Sequence, residues 1–321
     1  MNQTTFRRCI WRCLWGLLCV HTLWAGIAYG QHSTTPVVPA PAAPALYGAE
    51  IIKQESIYQS KGTDVPAGYS IDRTLEEYTR GLTANFGRSL AALGPGDRWL
   101  DVGAGTGQAI LDYYAANYDV EHPQGSESRG RKAKTVALSI EDRRTQAWHQ
   151  TAARLDTGQL QYLFGKRLRD YSLEDMGKFR LITDVLGGFS YTDNVSGYME
   201  KVLDFLEVGG SFYGVLQDVG AEAGVNKPFY PNARFLTEIL NADASSVKIC
   251  AWIKSIACVR ATCEFKTDWK PPLEMYRIRK ECNEVKVPEL VRVHYEAGTP
   301  PERRFQLKQL LAPAADRDSA R

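Results

Sequence analysis

Residues 101–107 read Asp-Val-Gly-Ala-Gly-Thr-Gly. The stretch follows the apolar pair Trp99-Leu100 and precedes Gln108-Ala109-Ile110-Leu111, which reads as the start of a helix. A strand that ends in a glycine-rich turn lets main-chain N–H groups approach a ligand closely. The dinucleotide fingerprint Gly-x-Gly-x-x-Gly is excluded, because its third glycine position holds Gln108. What remains is acid-x-Gly-x-Gly-x-Gly. Standing alone, such a turn also suits a tight loop with no ligand, so the rest of the chain has to decide.

The periodicity of the chain places that turn in an alternating pattern. Leu75, Tyr78, Leu82, Phe86, Leu90 and Leu93 recur at three- and four-residue steps and predict one amphipathic helix, ended by Gly94-Pro95-Gly96. Strands are predicted from Arg98 to Val102, Thr135 to Ile140, Leu160 to Phe164, from Phe179 into Asp184, and Ser211 to Leu216. Helices are predicted over Ala109–Ala115, from Glu141-Asp142 to Leu155, and along Val195, Met199, Val202, Leu203 and Leu206. Val247–Ile253 and Ile256–Phe265 read as a final antiparallel pair, and residues 119–134 as a polar surface insertion. Alternating strands and helices predict a doubly wound, Rossmann-like α/β sheet with an N-terminal helix.

The first 30 residues read as a signal peptide or membrane anchor. Arg7, Arg8 and Arg12 precede an apolar run from Leu14 to Ala28, and Ala28-Tyr29-Gly30 is a small-x-small cleavage site. The run is short against the span of about 20 residues a membrane helix needs. Residues 31–46 are a Pro/Ala-rich linker, 47–311 the folded domain and 312–321 a flexible tail. The expected location is periplasmic or secreted; the alternative is a domain held in the cytoplasm by residues 14–29. The net charge of +2 includes the three leader arginines, so the remainder is close to neutral. That speaks against a dedicated nucleic-acid binder. Cys250, Cys258, Cys263 and Cys282 fit either three alternative disulfide pairings or buried free thiols. No Cys/His spacing suggests a metal site.

The ordered landmarks resemble class I S-adenosylmethionine (SAM) dependent methyltransferases, over residues 70–265. Asp101-Val-Gly-Ala-Gly-Thr-Gly107 resembles the first motif, and Leu206-Glu-Val-Gly-Gly-Ser-Phe212 resembles the "leucine, x, x, glycine, glycine" signature before the fifth strand. The resemblance implies a seven-stranded sheet with a reversed seventh strand, and SAM as cofactor. It implies Asp101, Gly103, Ala104, Gly105 and Gly107 as cofactor-binding residues, with Gly103 and Gly105 letting the backbone pass close to the methionine part and Asp101 orienting that part through its amino group or a water. Glu141, with Asp142 beside it, stands where the family accepts the ribose diol; the same pair also reads as a helix N-terminal charge pair. Gly165-Lys166 has lysine where the family's adenine-side acid is expected, and Arg180 replaces the usual acid at the entry to the fourth strand. Asp184, at the end of that strand, is an acceptor-side catalytic candidate or a loop cap, and Tyr191 is a further candidate base.

No Asn/Asp-Pro-Pro-Tyr/Phe motif follows the fourth strand, so methylation of nucleic-acid bases is disfavoured. Phe189, Tyr191, Tyr198, Phe229 and Tyr230 line an apolar pocket or fill core. The expected acceptor is small or lipid-like. Three classes stay open: an exported methyltransferase, a non-catalytic binder of adenosyl ligands, and an envelope scaffold on the same fold.

Overall fold

The computed structural model describes residues 71–115, 133–220, 229, 235–298 and 300–308. The leader, the linker, the tail, Tyr230 and most of the 119–134 insertion lie outside the described residues. In chain order the elements are α1 (Leu75–Gly81), α2 (Phe86–Ala91), β1 (Arg98–Val102), α3 (Gln108–Tyr114), β2 (Lys134–Leu138), α4 (Gln146–Ala152) and β3 (Leu160–Leu163). They continue with α5 (Leu173–Met176), β4 (Phe179–Val185), α6 (Gly188–Tyr191), α7 (Val195–Phe205) and β5 (Leu206–Gln217). The last are β6 (Thr237–Leu240), β7 (Ser246–Val247), α8 (Ile249–Lys254), β8 (Val259–Lys266), β9 (Leu273–Lys280), β10 (Leu290–Glu296) and β11 (Glu302–Leu307).

Seven strands form one sheet in the order β3-β2-β1-β4-β5-β9-β8. The first five are mutually parallel, and β9 runs antiparallel to both β5 and β8. This is the doubly wound sheet with a reversed strand that the methyltransferase resemblance implies. Parallel strands are covered on both faces and so read as apolar runs. β4 fits that rule, since six of its seven residues are buried. α7 lays Val195, Tyr198, Met199, Val202 and Leu203 into the core at helical spacing. Asn194 caps it, its side chain accepting from the Gly197 N–H at 2.9 Å.

Two predicted elements are corrected. The helix expected over Leu75–Leu93 is two helices, because the chain is extended at Leu82 and bends through Thr83 and Asn85. Both are weak helix formers, and burial of Leu82, Phe86 and Leu90 keeps the apolar spacing across the break. Val247–Ile253 is largely helix α8 rather than a strand. Ile249, Cys250, Trp252 and Ile253 are buried along one helical face. The partner of β8 is β9, with Val259 opposite Lys280 and Lys266 opposite Leu273.

A second sheet, β10-β11-β6-β7, was not legible in the sequence. Its β11 pairs antiparallel with β10 and parallel with β6. Two disulfides, Cys250–Cys263 and Cys258–Cys282, settle the pairing of the late cysteines. They tie α8 to β8 and the entry of β8 to the end of β9. Cys250, Cys263 and Glu274 lie close together, but both sulfurs are spent on each other and no thiolate remains to hold a metal. Among the described residues no helix is long and apolar enough to cross a membrane.

Candidate active site

The glycine turn opens at the carboxyl end of β1, beside the ends of β2 and β4. There the sheet order reverses direction, and ligands of doubly wound folds bind in that crevice. Gly103 and Gly105 have φ of +77° and +57°, in the region that favours glycine. A Cβ on Gly103 would run into the backbone of Gly187, and one on Gly105 into the carbonyl of Ile71. The glycines are thus required first by the chain's own close approach.

The turn is also largely satisfied from within. Gly103 N and Ala104 N both donate to the Leu138 carbonyl, at 2.8 and 3.1 Å. Thr106 N donates to Ile71 O at 2.6 Å and Gly107 N to Ala104 O at 2.8 Å. The Gly105 carbonyl accepts from the Tyr162 hydroxyl. This turn is not a phosphate-cradling nest. A ligand would lie against it by shape, with the backbone as a close wall.

The cleft above it has a volume of 260 Å³, just under the range of about 300–1,000 Å³ usual for small-molecule sites. Gly103, Gly105, Leu138, Ile140, Leu168 and Leu186 form much of its inner surface. Gly187, Gly188, Tyr191 and Tyr198 form the side toward α6 and α7. Sequence reasoning missed the cations of this cleft: Arg73, Lys166, Arg167, Arg169 and Lys201 all line it. Lys166 was visible as a departure from the family pattern. Arg73 and Lys201 gave no signal, because only the fold brings α7 and the segment before α1 to the same opening.

The predicted acids are placed differently from expectation. Asp101 is fully buried and does not line the cleft. It accepts from Tyr78 Oη at 2.9 Å and from Thr183 Oγ1 at 2.7 Å. Burial pushes its carboxyl up to about 7, against the pull of those two donors. Asp101 therefore holds α1 and β4 against β1, behind the residues that line the cleft.

Asp184, the acceptor-side candidate, is likewise fully buried. Its carboxylate accepts from Gly187 N and Phe189 N, both at 2.8 Å, and from the Tyr198 hydroxyl. Burial pushes it up to about 6 while these donors and Arg303 oppose the rise. It is the loop cap of the two alternatives, and it shapes the 186–189 turn that lines the cleft. Below that turn lies Arg303 of β11, fully buried. Its guanidinium donates to Phe189 O and Thr192 O, both at 2.8 Å, and to Thr237 Oγ1. Burial lowers its pKa to about 10.

Glu141 follows the lining residue Ile140 in sequence, is not itself among the lining residues, and is ion-paired with Arg143. Asp142 forms a two-pronged pair with Arg144, at 2.8 and 2.6 Å, which holds its carboxyl below the ordinary range. Gly107 caps α3 and packs against Trp148, away from the cleft. Phe189 is core, stacked on Tyr198 with ring centroids 5.8 Å apart, whereas Phe229 is exposed.

No family model matches the chain, and no curated protein matches it. Among solved structures it is similar to a putative O-methyltransferase from Klebsiella pneumoniae, at 16% identity over 72% of this chain and 100% of that one, with a TM-score of 0.37. It is similar to an rRNA methylase from Streptococcus thermophilus, at 14% identity over 60% and 93% of the two chains, with a TM-score of 0.39. A geranyl diphosphate methyltransferase in complex with GPP and sinefungin is matched at 14% identity and a TM-score of 0.32, over 44% of each chain. The match thus spans less than half the length of that enzyme. The order and direction of the seven strands carry the fold: it is that of class I SAM-dependent methyltransferases.

Proposed function

We propose that this chain is a SAM-dependent methyltransferase acting on a small or lipid-like acceptor. The observation that carries the reading is the cleft itself, at the switch point of the sheet, with Gly103 and Gly105 on one side and Ile140 leading to Glu141 on the other. These residues fit the cofactor. The turn offers its face without side chains, and Leu138, Ile140 and Leu168 offer apolar surface to a planar base. Glu141, next in sequence to the lining Ile140, is the carboxylate that would meet the diol, on exchange of its Arg143 partner.

The bound cofactor supplies a methyl group already activated by its sulfonium. The protein's work is then chiefly alignment and exclusion of water, worth up to about 7–11 kcal/mol in well-oriented reactions. Arg73 donates to Val185 O at 3.3 Å and holds the segment before α1 over the cleft. Asp184 sets the 187–189 backbone, and Arg303 supports it from beneath. Where an acceptor must lose a proton, Tyr191 is the lining group that would take it, and only as its phenolate.

A second reading, a non-catalytic binder of adenosyl ligands, is favoured by one observation: no carboxylate or histidine is among the described residues that line the cleft. Calorimetric titration with SAM and S-adenosylhomocysteine separates the outcomes. Micromolar binding that Glu141→Ala weakens about tenfold, or roughly 1.4 kcal/mol, supports the cofactor site. Absence of binding by either ligand to the intact protein would sink both readings. Binding with no methyl transfer across an acceptor panel selects the second.

A further inference from the structure

The charge of the cleft is one-sided. Among the described residues, five cations, Arg73, Lys166, Arg167, Arg169 and Lys201, line it, with no aspartate or glutamate. A site for SAM alone gives no reason for this, since that cofactor carries one carboxylate against a sulfonium and an ammonium. Like charges gathered at one opening repel, so the arrangement costs free energy until an anion enters.

Several of these cations rest on neutral groups. The Lys166 ammonium sits over the Tyr171 ring, 5.5 Å from its centroid, and the Lys201 ammonium over the Phe205 ring at 5.2 Å. Arg73 is held by the Val185 carbonyl. These contacts orient the cations without neutralising them. Arg169 reaches two carboxylates, Asp193 at 3.7 Å and Asp170 at 4.0 Å. Asp175 feels both lysines, but its carboxyl is engaged first by Ser172 at the start of α5, and it is not a lining residue.

Position adds a second constraint. Lys166 and Arg169 are exposed at the mouth, while Val102, Leu138 and Leu168 are buried at the base. An anion is therefore met at the mouth, above the apolar floor that the cofactor's base would cover. One carboxylate is matched by a single arginine fork; a group of charge two or more is needed to answer several cations at once.

We infer that the acceptor, on the methyltransferase reading above, carries a phosphate or diphosphate group, and that Lys166 and Lys201 bind it at the mouth of the cleft. The oxidised, purified chain is titrated with inorganic diphosphate and, separately, with monomeric dihexanoyl phosphatidic acid, and each titration is repeated with the double variant Lys166→Gln/Lys201→Gln. S-Adenosylhomocysteine is titrated in parallel, and circular dichroism checks that the variant is folded. The expected result is saturable anion binding that the double variant weakens tenfold or more, one 1.4 kcal/mol step being a factor of ten. Preference for the diphosphate points to a free phosphorylated metabolite, and preference for the short-chain lipid to a lipid headgroup; either supports the site. Anion binding that is absent in the wild type, or unchanged in the variant, overturns it. Anion binding without S-adenosylhomocysteine binding leaves the anion site standing and removes the methyltransferase reading, so the two failures are distinguishable.

Discussion

At the scale of single residues, two buried acids set the behaviour of the sheet's centre. Asp101 and Asp184 are pushed up to about 7 and about 6 by burial, so the fold prefers their protonated forms. Unfolding lets both ionise near their ordinary value of about 4. The unfolded chain therefore binds fewer protons across this interval, and stability falls as pH rises from about 4 to about 7. Urea unfolding at pH 5 and pH 8 is expected to show the wild type less stable at pH 8, and Asp101→Asn is expected to flatten that difference; an unchanged slope in the variant would refute the assignment. Arg303→Met leaves the Phe189 and Thr192 carbonyls without their buried donor, with an expected loss of about 3 kcal/mol. The same variant should weaken S-adenosylhomocysteine binding in calorimetry, because the 186–192 turn it supports lines the cleft. The glycine turn was legible because strand, turn and helix are contiguous. The support from Arg303 was not, since it lies 114 residues from Phe189 in sequence and only tertiary packing joins them.

Elements were legible where one pattern ruled. β1, β2, β4 and α7 follow from uninterrupted apolar runs or helical spacing. The 75–93 stretch kept its apolar spacing across a break, so periodicity alone could not show the break. The run at 247–253 is apolar enough for either a strand or a helix, and short apolar runs do not distinguish them. The disulfides are decisive for this region. They close loops of 13 and 24 residues around α8, β8 and β9, and each is worth about 2–4 kcal/mol in the chain-entropy account. Reduction with a phosphine is expected to lower the melting temperature by about 10 °C, at roughly 2–4 °C per kcal/mol for a domain of this size. It should do so with early loss of protection in β8, the edge strand, read by amide exchange. Uniform loss over the whole sheet would show that the disulfides act globally instead.

For the whole molecule, two disulfides support an oxidising compartment, because reducing cytosol disfavours them. We propose export, with residues 1–30 as the signal. Cell fractionation followed by maleimide labelling is expected to find the chain outside the cytoplasm with the four late cysteines unreactive. A cytoplasmic, fully labelled chain would favour the anchored alternative. The second sheet adds a matter of timing. β11 brings Arg303 beneath the turn that walls the cleft, and β11 is the last described strand to leave the ribosome or a translocation channel. The seven strands of the main sheet all precede β11 in the chain, so the cleft's support is the later part to arrive. On the reading proposed above, ligand binding therefore requires β11 to be in place, and makes the latest described strand a condition for the earliest part of the cleft to work.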